Sequence, residues 1–301
     1  MTRATATLAV LAVGFAATAV AGPGPRFFVM GNGTLEIVNR GMNERVRVQY
    51  LRADGRYDYE AIDDVRRIMR CKGDAREGEI TPRFVELLGY LYARTGRPLV
   101  LLSGYRSPEV NEGMRRRGVR AAGGSLHTEG LAADLAFPRD ELEPLWLALR
   151  VLDCCGAGYY RSQGFLHVDV GPSRYWEAAT SRVDENLNAG NARAFARTDF
   201  DRYTAGEMML VHLHAVTQPP IRLERAARLV PDGGGAGAPL TVEEIGREGH
   251  GDEGCITADR TTRLLVKGAP GMPRGRVVFT TCEPRPGRTP ERIETNPVAL
   301  R

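Results

Sequence analysis

Lysine is nearly absent from this chain. Of its 41 basic residues only Lys72 and Lys267 are lysines, and 37 acidic residues leave a net charge of +4. No polybasic block stands out, and the longest basic run, Arg115-Arg116-Arg117, falls in a predicted helix where it reads as a solvated face. The arginine bias is therefore compositional, and no nucleic-acid partner is expected. Hydrophobic residues at 43% and charged residues at 26% exclude both chain-wide disorder and a polytopic membrane protein. Cysteine is scarce: Cys71, Cys154, Cys155, Cys255 and Cys282 include no C-x-x-C pair, which argues against a cysteine-built zinc site. No internal repeat is visible. Gly31-Asn32-Gly33 opens onto a predicted strand instead of a helix, so a nucleotide-binding loop has no support.

At 301 residues the chain has room for two domains with real cores. Residues 1–21 run from Met1-Thr2-Arg3 through an uncharged Ala/Val/Leu stretch to Ala19-Val20-Ala21, an A-x-A site followed at once by Gly22-Pro23-Gly24-Pro25. This pattern predicts a signal peptide, hence a periplasmic or secreted protein with no membrane anchor after cleavage. An oxidising compartment allows two disulfides and one leftover thiol. Cys255 and Cys282 border β-type segments of one small module and are expected to pair, as is Cys71 with either Cys154 or Cys155.

Residues 34–38 and 45–50, joined by a turn at Asn39-Arg40-Gly41, predict a β-hairpin. Two helices follow, at 59–70 with Ile62, Val65, Ile68 and Met69 on one face, and from Pro82 with Thr81 as cap and Gly96 as its end. A buried strand at 98–103, a helix from Ser107-Pro108-Glu109, a strand at 131–137, a helix at 141–152 capped by Asp140 and a strand at 165–170 complete the first domain. The predicted class is α+β, with a small, mainly antiparallel sheet and flanking helices over residues 27–180. Polar residues mark 181–203 as a linker. Alternating stretches with Pro- and Gly-rich turns predict an all-β, sandwich-like domain over 204–290, with at most one short helix at 242–247 and a loose tail at 291–301.

The five histidines are His127, His167, His212, His214 and His250. In Ser125-Leu126-His127-Thr128-Glu129-Gly130-Leu131-Ala132-Ala133-Asp134 a loop histidine precedes an aspartate set in an apolar strand. That carboxylate needs a partner, and a metal ion or a nearby cation supplies one. In Gly164-Phe165-Leu166-His167-Val168-Asp169-Val170, His167 and Asp169 share one strand face while Leu166, Val168 and Val170 share the other. Two imidazoles and one carboxylate make a three-ligand zinc set with a fourth position for water, although spacing alone equally fits satisfied polar core residues. Leu102-Ser103-Gly104-Tyr105-Arg106-Ser107-Pro108 puts Arg106 at a strand end, where its planar cation can clamp a carboxylate or a polarised carbonyl. His212-Leu213-His214 can also bind metal by spacing, but it lies apart from any carboxylate cluster and reads as an exposed strand face.

Taken together, S-G-Y-R-S-P-x-x-N, S-L-H-x-x-G-x-A-x-D, G-x-G-Y-Y and F-x-H-V-D-V-G-P-x-R-x-W closely resemble the murein endopeptidase K family, related to D-Ala-D-Ala carboxypeptidases and the Hedgehog signalling domain. The resemblance spans residues 33–178. It implies that His127, Asp134 and His167 bind Zn2+, that Arg106 holds the substrate backbone or a developing oxyanion, and that Ser125 lies beside the metal. Tyr159, Tyr160 and Trp176 would wall the groove, Tyr160 as a substrate contact; the alternatives are that they are core aromatics and that Ser125 only caps its loop. The family's glycine pair before G-x-G-Y-Y is replaced by Cys154-Cys155, and the usual general-base positions hold Gly164 and Phe165. Asp169 is then the remaining candidate base, with a ligand-orienting role as its alternative. The implied function is an exported zinc peptidase acting on peptidoglycan stem peptides or cross-links; from architecture alone, the C-terminal domain is expected to dock on the wall or a protein partner. The alternative is a metal-containing binding module without catalysis.

Overall fold

A computed structural model describes residues 24–118, 124–181, 190–204, 206–245, 254–268 and 271–301. The expected signal peptide, residues 182–189 of the expected linker, and His250 lie outside the described residues. The first half runs β1 (Thr34–Asn39), β2 (Glu44–Gln49), α1 (Tyr59–Ile68), α2 (Pro82–Thr95), β3 (Leu99–Ser103), α3 (Pro108–Arg116), a single 3-10 turn at Leu126–Glu129, β4 (Ala132–Ala136), α4 (Arg139–Leu152), β5 (Gly156–Tyr160), β6 (Phe165–Asp169) and β7 (Arg174–Glu177).

Helix starts are set by side chains that satisfy the first free backbone N–H groups. Asp58 accepts from Glu60 and Ala61 N–H at α1, Thr81 from Phe84 at α2, and Ser107 from Val110 at α3. Pro82 and Pro108 occupy first helical positions, and Gly96 ends α2 at φ +63°. α4 departs from expectation: Pro138 holds the cap position and Asp140 lies inside the first turn, where its charge still favours the helix dipole without capping.

The first sheet has seven strands in the order β2-β1-β3-β4-β6-β5-β7. Four of its six pairings are antiparallel, while β1-β3 and β5-β7 are parallel. Its core contains Leu35, Ile37, Leu99, Leu135, Leu166 and Val168 together with Val65, Leu88 and Leu149 from the helices. Each fully buried Leu or Val contributes about 1.5–3 kcal/mol, which anchors the strands that carry the polar residues of the opposite face.

The second half is all β: β8 (Phe195–Thr198), β9 (Arg202–Tyr203), β10 (Met208–His214), β11 (Ile221–Pro231), β12 (Ala238–Ile245), β13 (Cys255–Ala258), β14 (Arg263–Lys267), β15 (Gly275–Thr281) and β16 (Arg292–Leu300). They form one nine-stranded sheet with its own core, including Met209, Val211, Leu223, Val266, Phe279 and Ile293. The sheet curls until β8 meets β16, where Thr198 N–H donates to Asn296 Oδ1 at 3.0 Å. Three local expectations change. Phe195–Thr198, inside the stretch read as a linker, is buried strand; Arg292–Leu300, read as a loose tail, is strand β16; and Val242–Ile245 continues β12 instead of starting a helix. Short alternating polar and apolar residues at 195–198 and 292–300 look like loop until a partner strand covers one side, and at 242–245 pairing with β14 overrides the local helical pattern.

Cys255 and Cys282 stand at disulfide distance, their sulfurs 2.03 Å apart. Cys71 does not meet Cys154 or Cys155: it is buried and free, near the Ser107 N–H at 3.4 Å, while Cys154 and Cys155 face each other as a vicinal pair. Adjacent residues satisfy each other where the expected partner is already enclosed by the start of α3. No helix among the described residues is long and apolar enough to cross a membrane.

Candidate metal centre

Strand register builds the site. Ser103 on β3 pairs with Asp134 on β4, Asp134 with His167 on β6, His167 with Gly158 on β5, and Gly158 with Trp176 on β7. These residues form one row across five strands, and alternation puts the row on the face opposite Leu135, Leu166 and Val168. A second row places Asp169 beside Gly156 and Gly156 beside Arg174. The two glycines of G-x-G-Y-Y make room for it: a Cβ at Gly158 would lie 2.5 Å from the Trp176 ring, and one at Gly156 would lie 2.3 Å from Asp169 Oδ2.

His127 arrives from the 3-10 turn that precedes β4. Its Nδ1 lies 2.7 Å from the Gly104 carbonyl, which can only accept, so Nδ1 carries the proton and Nε2 presents a lone pair. On His167, Nε2 lies 2.9 Å from Asp169 Oδ2, so that nitrogen is the donor and Nδ1 turns toward Asp134. Three atoms then converge: His127 Nε2, His167 Nδ1 and Asp134 Oδ1, separated by 3.2, 3.3 and 3.0 Å. Three electron pairs at this spacing repel unless a positive centre sits among them. Burial, with the nearby Arg106 cation, lowers the His127 pKa. At His167 burial opposes protonation, but carboxylates at both ring nitrogens outweigh it and raise the pKa, a sign of the same demand for positive charge. Two imidazole nitrogens and one carboxylate oxygen fit zinc, and the three residues form a cluster able to hold a metal ion.

The surrounding groups have defined tasks. Arg106 donates from Nη2 to Asp134 Oδ2 at 2.5 Å and from Nε to Ser103 Oγ at 2.8 Å, so it grips the carboxylate on the side away from the imidazoles. Asp169 is fully buried, with its oxygens taken by His167 Nε2, Gly171 N–H and two nitrogens of Arg174. Burial alone would raise its pKa, yet Arg174 and His167 overcome that and hold it well below the usual carboxylate range. Asp169 therefore sits behind His167, away from the converging atoms. That position suits orienting the ring and does not suit the general-base role expected from elimination. Arg174 was present in the quoted motif without a role; the available signal was a buried strand carboxylate in need of a cation.

Ser125 precedes the 3-10 turn and makes no capping hydrogen bond with its side chain. Tyr159 is a core aromatic stacked on Trp146, whereas Tyr160 is on the site face and accepts from Trp176 Nε1 at 3.1 Å. The Trp176 ring lies 5.3 Å from that of His167. His212 and His214 are partly buried instead of exposed, and neither belongs to the ligand cluster. Sequence spacing also missed Glu129, two residues past His127, whose carboxylate meets His214 Nδ1 at 3.0 Å.

A family model described as peptidoglycan L,D-endopeptidase MepK matches residues 30–176. Peptidoglycan L,D-endopeptidase MepK of Escherichia coli strain K12 is 30% identical over 145 residues, covering 47% of this chain and 79% of the relative. Probable peptidoglycan L,D-endopeptidase MepK of Haemophilus influenzae is 27% identical over 161 residues, covering 52% of this chain and 82% of the relative. No solved structure matches the chain.

Proposed function

The chain belongs to the peptidoglycan L,D-endopeptidase MepK family, and on that premise we propose that it is an exported zinc peptidase that hydrolyses peptide cross-links of peptidoglycan. The observation that carries this reading is the convergence of His127 Nε2, His167 Nδ1 and Asp134 Oδ1 within 3.3 Å of one another, each turned inward by a partner on its far side. Zinc held by these atoms would supply Lewis acidity, polarising the scissile carbonyl and acidifying a water molecule.

The chain's own groups prepare that chemistry. Gly104 O fixes the His127 tautomer, Asp169 fixes that of His167, and Arg106 fixes the rotation of Asp134. Arg106 commits Nε and Nη2 to this task, and we assign its remaining edge to the substrate carbonyl, where charge develops during attack. Trp176 and Tyr160 wall the groove on the β5-β7 side, and Ser125 lines its entrance from the His127 turn. Export is supported by the apolar segment and A-x-A site at residues 1–21 and by the paired Cys255 and Cys282.

The test is turnover of purified sacculi by the protein lacking residues 1–21, with fragment masses read by mass spectrometry. Fragments cut at L,D bonds, absent after chelation and restored by zinc, are expected. Intact sacculi with a zinc-loaded protein would leave a non-catalytic binding module, and D,D cleavage would correct the bond assignment.

A further inference from the structure

The stretch matched by the family ends at residue 176, yet residues well beyond it hold both ligand-bearing segments. On β8, Arg197 is 8% exposed; its Nε donates to Val170 O at 2.6 Å and its Nη2 to Gly171 O. Gly171 N–H in turn donates to Asp169 Oδ1 at 2.8 Å, and Asp169 Oδ2 accepts from His167 Nε2–H. A continuous chain of hydrogen bonds thus runs from the second sheet to a ligand imidazole.

The other ligand is reached independently. Glu129, at the end of the His127 turn, accepts from Ala215 N–H at 2.9 Å through Oε1 and meets His214 Nδ1 at 3.0 Å through Oε2. Ala215 holds φ +54°, a left-handed conformation that alanine rarely adopts, at the residue whose N–H Glu129 receives. Ala215 and Phe195 also belong to the hydrophobic core of the first domain, so the contact is built into the packing.

We propose that the C-terminal domain is a working part of the metal centre, with Arg197 and Glu129 as positioning residues that set the His167 strand and the His127 turn across the domain boundary. The inference rests on the zinc-peptidase reading and extends it: the domain fixes ligand geometry as well as any docking role it has. Geometry in a metal site is set by the groups behind the ligands, and loss of such a group typically weakens metal binding by about 10–100-fold.

The experiment uses the full chain lacking residues 1–21, loaded with Co2+ as a spectroscopic substitute for zinc. Glu129→Ala and Arg197→Met are each expected to weaken metal affinity severalfold, less than the about 10–100-fold for a group bonded to a ligand, and to shift the cobalt absorption bands. Glu129→Gln should restore both, because an amide can accept from Ala215 N–H and donate to His214. Arg83→Gln is the control: it breaks the boundary ion pair with Asp201, 2.5 Å, and should lower the melting temperature while leaving the cobalt spectrum unchanged. If Arg197→Met does not fold, Glu129→Ala and its Gln rescue decide. Wild-type affinity and spectrum in Glu129→Ala, or an equal spectral change in Arg83→Gln, would overturn the proposal. Failure of the unaltered protein to bind Co2+ or zinc would instead overturn the metal reading on which it rests.

Discussion

Replacing Asp169 by asparagine separates two roles that sequence alone left open. If Asp169 orients His167, the variant keeps an oxygen facing Nε2 but loses the negative charge that strengthens this 2.9 Å contact. Removal of such support typically weakens metal binding by about 10–100-fold, or roughly 1.4–2.7 kcal/mol. The fold should survive. Asp169 is fully buried, so its loss is costly, but the partner cation Arg174 is 38% exposed and can be rehydrated, which keeps the cost below the about 3–5 kcal/mol of a fully buried pair. Zinc affinity by competition with a chromophoric chelator, together with single-turnover rates at saturating zinc on a defined cross-linked muropeptide, reads both quantities. The expected result is a weakened zinc Kd with turnover at saturation reduced by less than about tenfold, outside the usual general-base range. Unchanged zinc affinity combined with a loss of roughly 10²–10⁴ in turnover would restore Asp169 as the proton acceptor and refute the reasoning.

His167→Ala should abolish stoichiometric zinc binding while His212→Ala keeps it, as metal analysis of both will show. Gly158→Ala would place a Cβ 2.5 Å from the Trp176 ring, so Trp176 should be displaced and KM raised with zinc content unchanged; an unaltered KM would remove Trp176 from the groove. The Cys255–Cys282 link closes a 27-residue separation, for which chain entropy gives about 3.5 kcal/mol; non-reducing peptide mapping should find it, and Cys255→Ser should lower the denaturation midpoint accordingly. Burial, helped by Arg263 and His214, brings the His212 pKa down to about 4. The unfolded chain, near ~6.5, takes the proton first, so this contribution to stability is complete above ~6.5 and is lost as pH falls toward 4. His212→Gln should therefore melt with a flatter pH dependence than the unaltered protein between pH ~6.5 and ~4.5, and parallel slopes would disprove it.

The three residues that converge were legible because their signals are local. Strand alternation predicts a shared face for His167 and Asp169, His127 stands in a loop just before a strand, and Asp134, an ionisable residue inside that apolar strand, announces an unmet need. The helices were equally legible from capping residues and apolar spacing, as Thr81-Pro82 and Ser107-Pro108 show. The role of Asp169 was not, because face-sharing with His167 says nothing about which ring nitrogen it meets. That depends on Gly156 leaving space and on Arg174 returning from β7, both of which are properties of register.

The same distinction explains why no sequence signal ties the second domain to the site. Arg197 acts on backbone carbonyls at Val170 and Gly171, and Ala215 offers a backbone N–H to Glu129, so much of each contact carries no side-chain pattern to recognise. The partners are 26 to 86 residues apart, beyond the reach of helical or strand periodicity. A buried arginine on a short strand could be read only as an unmet cation, the mirror image of Asp134. Arg197, a buried charge in the expected linker, needs its acceptors as Asp134 needs its cation, but its burial is a property of the folded sheet. The proposed metal centre is therefore local in its converging residues and non-local in its supports, and on that reading substitutions far beyond residue 176 are expected to change how it holds metal.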